Sequence, residues 1–488
     1  MNRQTEKYIS QTGEEGFFKR NLAKLKIFVV TVFVGILAGT QFYSPNKRVI
    51  EAIVGSIVLF MLWQVSTLSA LWFVLLSYPF PFGISWGHSN VIFIMIIAIM
   101  LLVRVGSGAE KFRLDRTIAL PVGILVLAYI FSFNNVAPGS ALMRSGLVNF
   151  GNFLAAAGFA LLLINFVDDE EKFEKAVKFM IVTNVLVIIY CAIEIMFPGH
   201  VLVPGWLKTH HARSLVMRGI RIKGPFNNYE LNAEYFTLNS FIVFFAVVRT
   251  RRLLIRSLLY LILIADLLMM FAAVTRGAFY ALLAGVIYLM FLSRKELNIV
   301  RFFYIVIAFV VLLFVLEGIV ANYTASGSLF DRIVTSTFER GFIPKSRSEP
   351  WEMAIERGMQ HPFFGNGPGW DFASGETKGF WPHNIFLFYF NSLGLFGLAA
   401  FLLLLYRLVK ATIPGIKASI TKSSYPEAFM KILHVILVIF ILDQIKIEYL
   451  RNRIYVFFVW TLFAMIIITR NIIEKKRSGD LPSAPGSA

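Results

Sequence analysis

Apolar segments follow one another almost end to end along this chain, separated by short polar stretches. Of its 488 residues, 57% are hydrophobic and 16% are charged, and the mean hydropathy is +0.69. A soluble domain does not need so much apolar surface to bury a core. A helix of about 20 apolar residues crosses the hydrocarbon layer and satisfies its own backbone hydrogen bonds there. The sequence therefore predicts an all-α, polytopic integral membrane protein.

The segment lengths predict about 14 transmembrane helices, within a range of about 12–14. We place them near residues 27–43, 49–65, 67–81, 90–103, 117–133, 148–167, 179–197, 233–248, 257–274, 277–292, 302–320, 384–406, 430–443 and 454–469. The segments in 49–81 can be divided differently, and the one at 430–443 is short.

The ends of the chain are more polar than its middle. Residues 1–26 are basic and lack the apolar core of a signal peptide, so we expect a cytoplasmic N-terminus followed by an uncleaved anchor helix. Residues 27–470 form a single predicted membrane domain. Residues 471–488 form a predicted disordered cytoplasmic tail.

The net charge of +18 at pH 7 would indicate nucleic-acid binding in a soluble protein. In a membrane protein, Lys and Arg instead concentrate in cytoplasmic loops, and with fourteen spans five basic clusters fall on one side. They are Lys19, Arg20, Lys24 and Lys26; Arg104, Lys111, Arg113 and Arg116; Arg249, Arg251, Arg252 and Arg256; Arg294, Lys295 and Arg301; and Lys475, Lys476 and Arg477. We therefore expect membrane lipids, and no nucleic acid, as partners. The single cysteine, Cys191, excludes disulfides and thiolate metal sites within the chain.

Two predicted outer loops, 198–232 and 321–383, are rich in cations where the same rule predicts few. Their cations are Lys208, Arg213, Arg218, Arg221 and Lys223 in the first loop, and Arg332, Arg340, Lys345, Arg347, Arg357 and Lys378 in the second. Such loops indicate an anionic ligand outside the membrane. The alternative is that they bind lipid headgroups or are simply solvated.

Arg276 and Arg221 occupy distinctive surroundings. Arg276 lies between two apolar spans with almost no linker, where a charge near membrane depth needs a partner or an anion. Asp266 is its nearest acidic neighbour along the preceding span, so a salt bridge competes with anion binding. Arg221 precedes KGPFNN, a turn whose backbone donors and guanidinium suit phosphate oxygens.

The segment after Arg347 predicts an amphipathic helix on the outer face, because Trp351, Ala354, Ile355 and Met359 recur at helical spacing. The turn GNGPG follows, with Gly365, Gly367 and Gly369. It lacks the Lys-Ser/Thr of a P-loop, so it predicts a tight re-entry that positions the next segment and not a nucleotide site.

His383 and Asn384 follow Pro382 at the start of the long apolar run 384–406. The positive end of a helix dipole disfavours imidazolium, so we expect a neutral His383 that can accept a proton. A neutral imidazole at the outer surface is a candidate general base. The alternative is an ordinary interfacial histidine that only donates and accepts hydrogen bonds.

Together these motifs resemble the O-antigen ligase and O-antigen polymerase superfamily of bacterial inner-membrane glycosyltransferases. The resemblance rests on R-x-x-x-W (Arg347 to Trp351), HPFFGNGPG, PHNIFLFYFNSLGLFGLAAF, TRGAFYALLAG and RIKGPFNN, and it covers about 221–404 in the family's order. One departure is Asn227-Asn228-Tyr229, where many relatives carry proline and asparagine.

The resemblance implies a helical fold with a large periplasmic loop late in the chain. It also implies transfer of a glycan from undecaprenyl pyrophosphate to a hydroxyl at the periplasmic face, without metal, nucleotide or other cofactor. His383 would deprotonate the acceptor, while Arg276, Arg347 and, more loosely, Arg221 would bind the pyrophosphate. The acceptor stays open between a second lipid-linked glycan unit, lipid A core and a protein hydroxyl, with the span number favouring a polymerase.

A transporter or lipid-linked oligosaccharide flippase is the competing hypothesis, because such proteins are also polytopic. Against it, the two halves show no internal repeat and the ionisable residues concentrate at the membrane faces. A non-catalytic assembly scaffold is the remaining alternative.

Overall fold

The structure is a computed structural model that describes residues 65–196, 221–294, 310–319, 345–369 and 382–478, apart from short gaps at 82, 85–86 and 109. Single residues at 307, 322 and 334 are also placed. The predicted spans at 27–43 and 49–65, the N-terminal segment 1–26 and most of the cations in the two outer loops lie outside the described residues.

The described chain is helical, with one short antiparallel hairpin near its beginning. The first helices are α1 (Thr67–Ser77), α2 (Ser89–Gly106), α3 (Arg116–Ser132), α4 (Ala141–Phe166), α5 (Glu170–Met196), α6 (Tyr229–Arg249) and α7 (Leu253–Ala272). They are followed by α8 (Arg276–Leu292), α9 (Val310–Ile319), α10 (Lys345–Gln360), α11 (Ile385–Thr412), α12 (Tyr425–Asp443) and α13 (Tyr455–Ser478). The hairpin pairs β1 (Gly83–Ile84) with β2 (Gly87–His88).

Within the described residues, eight helices are long and apolar enough to cross a membrane: α3 to α7, α11, α12 and α13. Four shorter apolar helices, α1, α2, α8 and α9, accompany them. The prediction of an all-α polytopic membrane protein is confirmed, and the total of 14 spans stays a prediction. α6 and α13 form the centre of the bundle, since 89% of each apolar window is buried, against 28% for α5 and α7.

The bundle has two chemically different ends. At the end that we call the basic end, α4, α6, α8, α11 and α13 finish and α3, α5, α7 and α12 begin. Arg470 lies 2.7 Å from Asp115, Lys476 pairs with Glu170, and Arg249 donates to the carbonyl oxygens of residues 421 and 423, each at 3.1 Å. These contacts join helices that are far apart in the sequence. We call the other end the opposite end; there α4, α6, α8, α11 and α13 begin.

Two predicted boundaries need correction. α6 already begins at Tyr229, so the first outer loop ends there and not at 232. The predicted disordered tail from 471 is helical as far as Ser478, because the cations of its last turns pair with residues at the starts of α3 and α5.

Two spans also differ from their predicted lengths. α12 has 19 residues and starts five residues before the predicted 430. α1 has 11 residues and ends at Ser77 instead of 81. The apolar runs do not mark these two helix ends. α12 begins at Tyr425, in the polar and aromatic segment before its apolar run, and α1 ends at Ser77, before its predicted run ends.

Candidate functional site

Three helices begin at the opposite end with the same local backbone arrangement. The residue before each N-cap has a positive φ: Asn227 (48°) before α6, Val274 (47°) before α8 and His383 (49°) before α11. A β-branched valine rarely adopts this left-handed conformation, and histidine does so only occasionally. Strained backbone of this kind persists where the surrounding structure imposes it, often at functional sites.

Asparagine side chains cap two of these helices with the same geometry. Asn384 Oδ1 accepts hydrogen bonds from the N–H groups of Phe386 and Leu387 at 2.9 and 3.1 Å. Asn228 Oδ1 accepts from the second and third residues of α6, also at 2.9 and 3.1 Å. His383 therefore lies one position before the cap and not in the first turn. It is half-buried, and Asn384 is 8% exposed.

Arg276 is the first residue of α8 and is half-buried. Asp266, the acidic neighbour considered from the sequence, is fully buried and accepts a hydrogen bond from Asn184 Nδ2 at 2.7 Å. The carboxylate therefore has a partner on α5. Arg276 instead shares the start of α8 with the side chain of Lys446, which comes from a different part of the chain.

The segment between α12 and α13, residues 444–454, joins these helix starts, and we call it the linker. The carbonyl oxygen of Gln444 accepts from the N–H of Ile385 at 2.9 Å, and its side-chain amide donates to Glu234 Oε1 on α6 at 2.9 Å. Asn452 donates to the carbonyl oxygen of Phe226, in the turn before α6. The linker therefore connects the start of α11 to the start of α6.

Lys446 connects the linker to α8. Its ammonium is so close to Gly277 that an added Cβ there would lie 2.5 Å from Nζ. Lys446 also pairs with Asp443 at 2.5 Å, and Asp443 is only 5% exposed. The ammonium is therefore already paired with one carboxylate. A helix start carries partial positive charge, so together with the guanidinium of Arg276 it favours a further anion at this position.

The glycine-rich turn 361–369 packs against a break in α11. Gly394, at φ 68° and ψ −168°, interrupts that helix. Four backbone hydrogen bonds cross between the turn and the break, from the N–H groups of residues 366, 367, 395 and 396, at 2.7–3.2 Å. The amide groups freed by the break are thus satisfied by the turn, as apolar surroundings require.

The three glycines of the turn allow close contacts with other helices. A Cβ on Gly365 would overlap the backbone of Ser392, one on Gly367 would overlap Val136, and one on Gly369 would lie 2.8 Å from the carbonyl oxygen of residue 142. The carbonyl oxygen of Gly365 also accepts from Asn135 Nδ2 at 2.7 Å. These contacts hold the turn against the α11 segment that follows His383, and a positioning role of the three glycines in a reaction stays a prediction.

Helix α10 begins at Lys345 and contains both Arg347 and Trp351. The side chain of Arg347 lies outside the described residues, so its distance from Arg276 and His383 stays untested. Ala354 is fully buried, but Ile355 and Met359 are 47% and 63% exposed. The predicted apolar face is therefore only partly correct, because the helix packs through Ala354 and Gly358 and leaves apolar side chains on its outer surface.

The turn after Arg221 has a structural role that the sequence did not show. The N–H groups of Lys223 and Gly224 donate to the carboxylate of Glu194 at 3.3 and 2.9 Å, so these two donors are occupied. The guanidinium of Arg221 lies 4.7 Å from the ring centroid of Tyr229, at the start of α6. Arg221 therefore lies at the start of α6. The turn after it was expected to bind phosphate through its backbone donors, but two of those donors bind Glu194.

Within this arrangement, the segment from α7 to the middle of α11 corresponds to a known family. Residues 259–402 match the O-antigen ligase family model. The predicted resemblance to the O-antigen ligase and polymerase superfamily is confirmed over these residues, and the match supports glycan transfer of that general type. No match was found among curated proteins.

The O-antigen ligase match includes Arg276, Arg347, the glycine-rich turn and His383, but neither Arg221 nor the linker. Sequence reasoning therefore missed Gln444 and Lys446, which contact the starts of α11 and α8. A signal was present, since DQIKIEYLRNR places seven polar or charged side chains between two apolar spans. Among the described residues, no group of three or more His, Cys, Asp and Glu side chains is arranged to hold a metal ion.

Proposed function

We propose that the protein transfers a glycan from undecaprenyl pyrophosphate to a hydroxyl acceptor at the periplasmic face of the bacterial inner membrane. The basic end would then face the cytoplasm, in agreement with the positive-inside rule. The opposite end, with the starts of α6, α8 and α11, would face the periplasm. The acceptor would be a second lipid-linked glycan in a polymerase, lipid A core in a ligase or a protein hydroxyl in a related oligosaccharyltransferase.

The proposed reaction is a direct displacement at the anomeric carbon. The imidazole of His383 takes the proton of the acceptor hydroxyl as the oxygen forms its bond to that carbon. The bond between the carbon and the pyrophosphate oxygen breaks, and the leaving group keeps the electron pair. Attack opposite the leaving group inverts the configuration at the anomeric carbon.

The negative charge that develops on the pyrophosphate needs positively charged groups that are already in place. We assign this role to Arg276 and Lys446 at the start of α8, with Arg347 and Arg221 as further candidates. A guanidinium binds two phosphate oxygens at once, and an ammonium supplies a compact charge beside it. The proposed chemistry uses these side chains and no metal ion or nucleotide.

The single observation that carries the proposal is the meeting of three helix starts around one linker. Gln444 and Lys446 contact α11, α6 and α8, whose starts carry His383, the Arg221–Tyr229 pair and Arg276. This brings a candidate base and several cations to one end of the bundle. The family match supplies the reaction type, and the convergence supports the residue roles.

Replacing His383 by alanine in the native host tests the base. We expect transfer to fall by about 100- to 10,000-fold, the usual contribution of a general base. Surface glycans separated on a gel would then lose their polymers, while a His361→Ala control, an exposed histidine of the same end, would keep them. Normal polymers in the His383 variant, at normal protein levels, would refute the role.

Deleting the gene for the protein in the native host distinguishes polymerase from ligase activity. Glycan chains reduced to one unit would identify a polymerase, whereas long chains accumulating on undecaprenyl pyrophosphate would identify a ligase. Normal glycans after deletion would contradict glycan transfer altogether.

A further inference from the structure

A second group of cations lines a cleft on another side of the linker. The cleft has a volume of about 490 Å³ and lies between the start of α4 and the residues just before α13. Its lining residues are Gly139, Ala141, Arg144, Ser145, Val148 and Arg453. None of the six is acidic, and two of them carry guanidinium groups. The cleft opens at the opposite end of the bundle, where His383 also lies.

The two arginines reach the cleft from fixed elements. Arg144 is in the first turns of α4, whose N-cap Ser140 accepts from the N–H of Met143 at 3.1 Å. Arg453 follows Asn452, whose Oδ1 accepts from the N–H groups of residues 454 and 455 at 2.8 and 2.9 Å. The backbones that carry both guanidinium groups are thus held in place. The Arg144 side chain is exposed and makes no ion pair with any described residue.

The cleft borders a surface that suits hydrocarbon. Leu147 and Leu154 are 55% and 41% exposed on α4, and both project from the same side of that helix. Arg144 lies one turn before Leu147, towards the opposite end. A lipid whose phosphate lies between the two arginines would therefore leave its chain beside these leucines. A free phosphate would make no use of this surface.

The linker contributes one cation to each of two separate groups. Lys446 lies beside Gly277 at the start of α8, and Arg453 lines the cleft at the start of α4. A reaction between two lipid-linked substrates needs both of them held so that their reacting atoms meet. Two cation groups joined by one short segment offer one position for the phosphate of each lipid.

We propose that the cleft between Arg144 and Arg453 binds the phosphate of the lipid that carries the acceptor hydroxyl. This inference rests on the proposed glycan transfer, in which Arg276 and Lys446 bind the donor. It assigns the acceptor to the class of phosphate-bearing lipids, which includes a second polyprenyl-linked glycan and lipid A core, and not to proteins.

Binding of undecaprenyl phosphate to the full chain in neutral phosphatidylcholine nanodiscs tests the proposal. We expect the wild type to bind two lipid equivalents per chain by native mass spectrometry. The double variant Arg144→Gln/Arg453→Gln should keep one, with binding at the cleft at least about tenfold weaker. Arg276→Gln/Lys446→Gln should also keep one. Arg251→Gln, at the basic end, is the control and should keep two.

Each alternative has its own result. Two equivalents retained by the folded Arg144/Arg453 double variant would overturn the proposal, with Arg144→Lys/Arg453→Lys checking that loss of charge causes any effect. If the Arg144/Arg453 double variant loses binding of inorganic pyrophosphate but keeps both lipid equivalents, the cleft is a free-phosphate site. If the same variant loses phosphatidylglycerol as strongly as undecaprenyl phosphate, the cleft is a bulk-lipid contact and the acceptor role is overturned. If only the Arg276→Gln/Lys446→Gln variant keeps two equivalents, the proposed donor site fails while the cleft remains supported.

Discussion

Replacement of Gly394 by alanine should separate the glycine-rich turn from α11. A Cβ at this position would lie 2.5 Å from the backbone nitrogen of Phe364 and would overlap the carbonyl group of Phe363. The neighbouring atoms are backbone, which cannot rotate away as a side chain can. The φ of 68° adds a second penalty, because alanine avoids the left-handed region.

The two penalties have different sizes. Left-handed backbone costs an alanine about 1–2 kcal/mol. Undocking the turn also breaks the four backbone hydrogen bonds between 362–367 and 391–396, each with a net value of about 0.5–1.5 kcal/mol, or about 2–6 kcal/mol in total. The variant should therefore lose about 3–8 kcal/mol if the turn leaves, and about 1–2 kcal/mol if it stays.

Thermal unfolding of the purified protein in detergent distinguishes the two outcomes. Gly108→Ala is a matched control for backbone strain, because Gly108 has φ 73° and open space where a Cβ would be added. Gly123→Ala, also with open space, controls for the substitution alone. At roughly 1 kcal/mol per degree for a chain of 488 residues, we expect an apparent Tm for Gly394→Ala about 2–6 °C below that of Gly108→Ala. Equal values for Gly394→Ala and Gly108→Ala would refute the docking argument.

Three further predictions concern the helix starts and the basic end. Asn384→Ala and Asn228→Ala should each destabilise the fold by about 1 kcal/mol. Asn384→Ala should lower glycan transfer more, since it releases the start of α11. Wild-type transfer by Asn384→Ala, at wild-type protein levels, would contradict this. Gly277→Ala should displace the ammonium of Lys446. We expect the KM for the lipid-linked donor to rise about tenfold, with a smaller change in kcat. An unchanged KM would remove Lys446 from the donor site. Burial opposes ionisation of Asp115, but hydrogen bonds from a neighbouring amide and N–H group and an arginine charge hold its pKa below the ordinary 3.8. The stabilisation by the Asp115 carboxylate should therefore be present above about pH 5 and disappear as the pH falls through the folded-state pKa. The Tm difference between wild type and Asp115→Asn should then shrink on acidification. A constant Tm difference from pH 7 to pH 3 would be inconsistent with this role.

The helices were largely predictable because long apolar runs bounded by charges leave few alternatives. The predicted spans 117–133, 233–248 and 277–292 correspond closely to α3, α6 and α8. Positions 27–43 and 49–65 lie outside the described residues, so those spans stay predictions. The helix ends were less predictable, since α13 continues to Ser478 through ion pairs with residues that are distant in sequence.

The candidate site was only partly predictable. The motifs identified Arg276 and His383 individually, because each places a polar side chain at the start of an apolar run. The linker contacts of Gln444 and Lys446 depend on how α12 and α13 pack against α6, α8 and α11, which no local pattern records. The same holds for Arg221, since the acceptor of its turn's N–H groups is Glu194, at the end of a different helix.

The ion pairs of the basic end constrain the order in which the bundle is completed during synthesis. Asp115 and Glu170 receive their partners from Arg470 and Lys476, which are translated 355 and 306 residues later. Until α13 emerges, the early helices carry carboxylates whose cations do not yet exist, and the central position occupied by α13 is vacant. Helices α3 to α5 therefore reach the membrane long before the contacts that α13 makes with them are available.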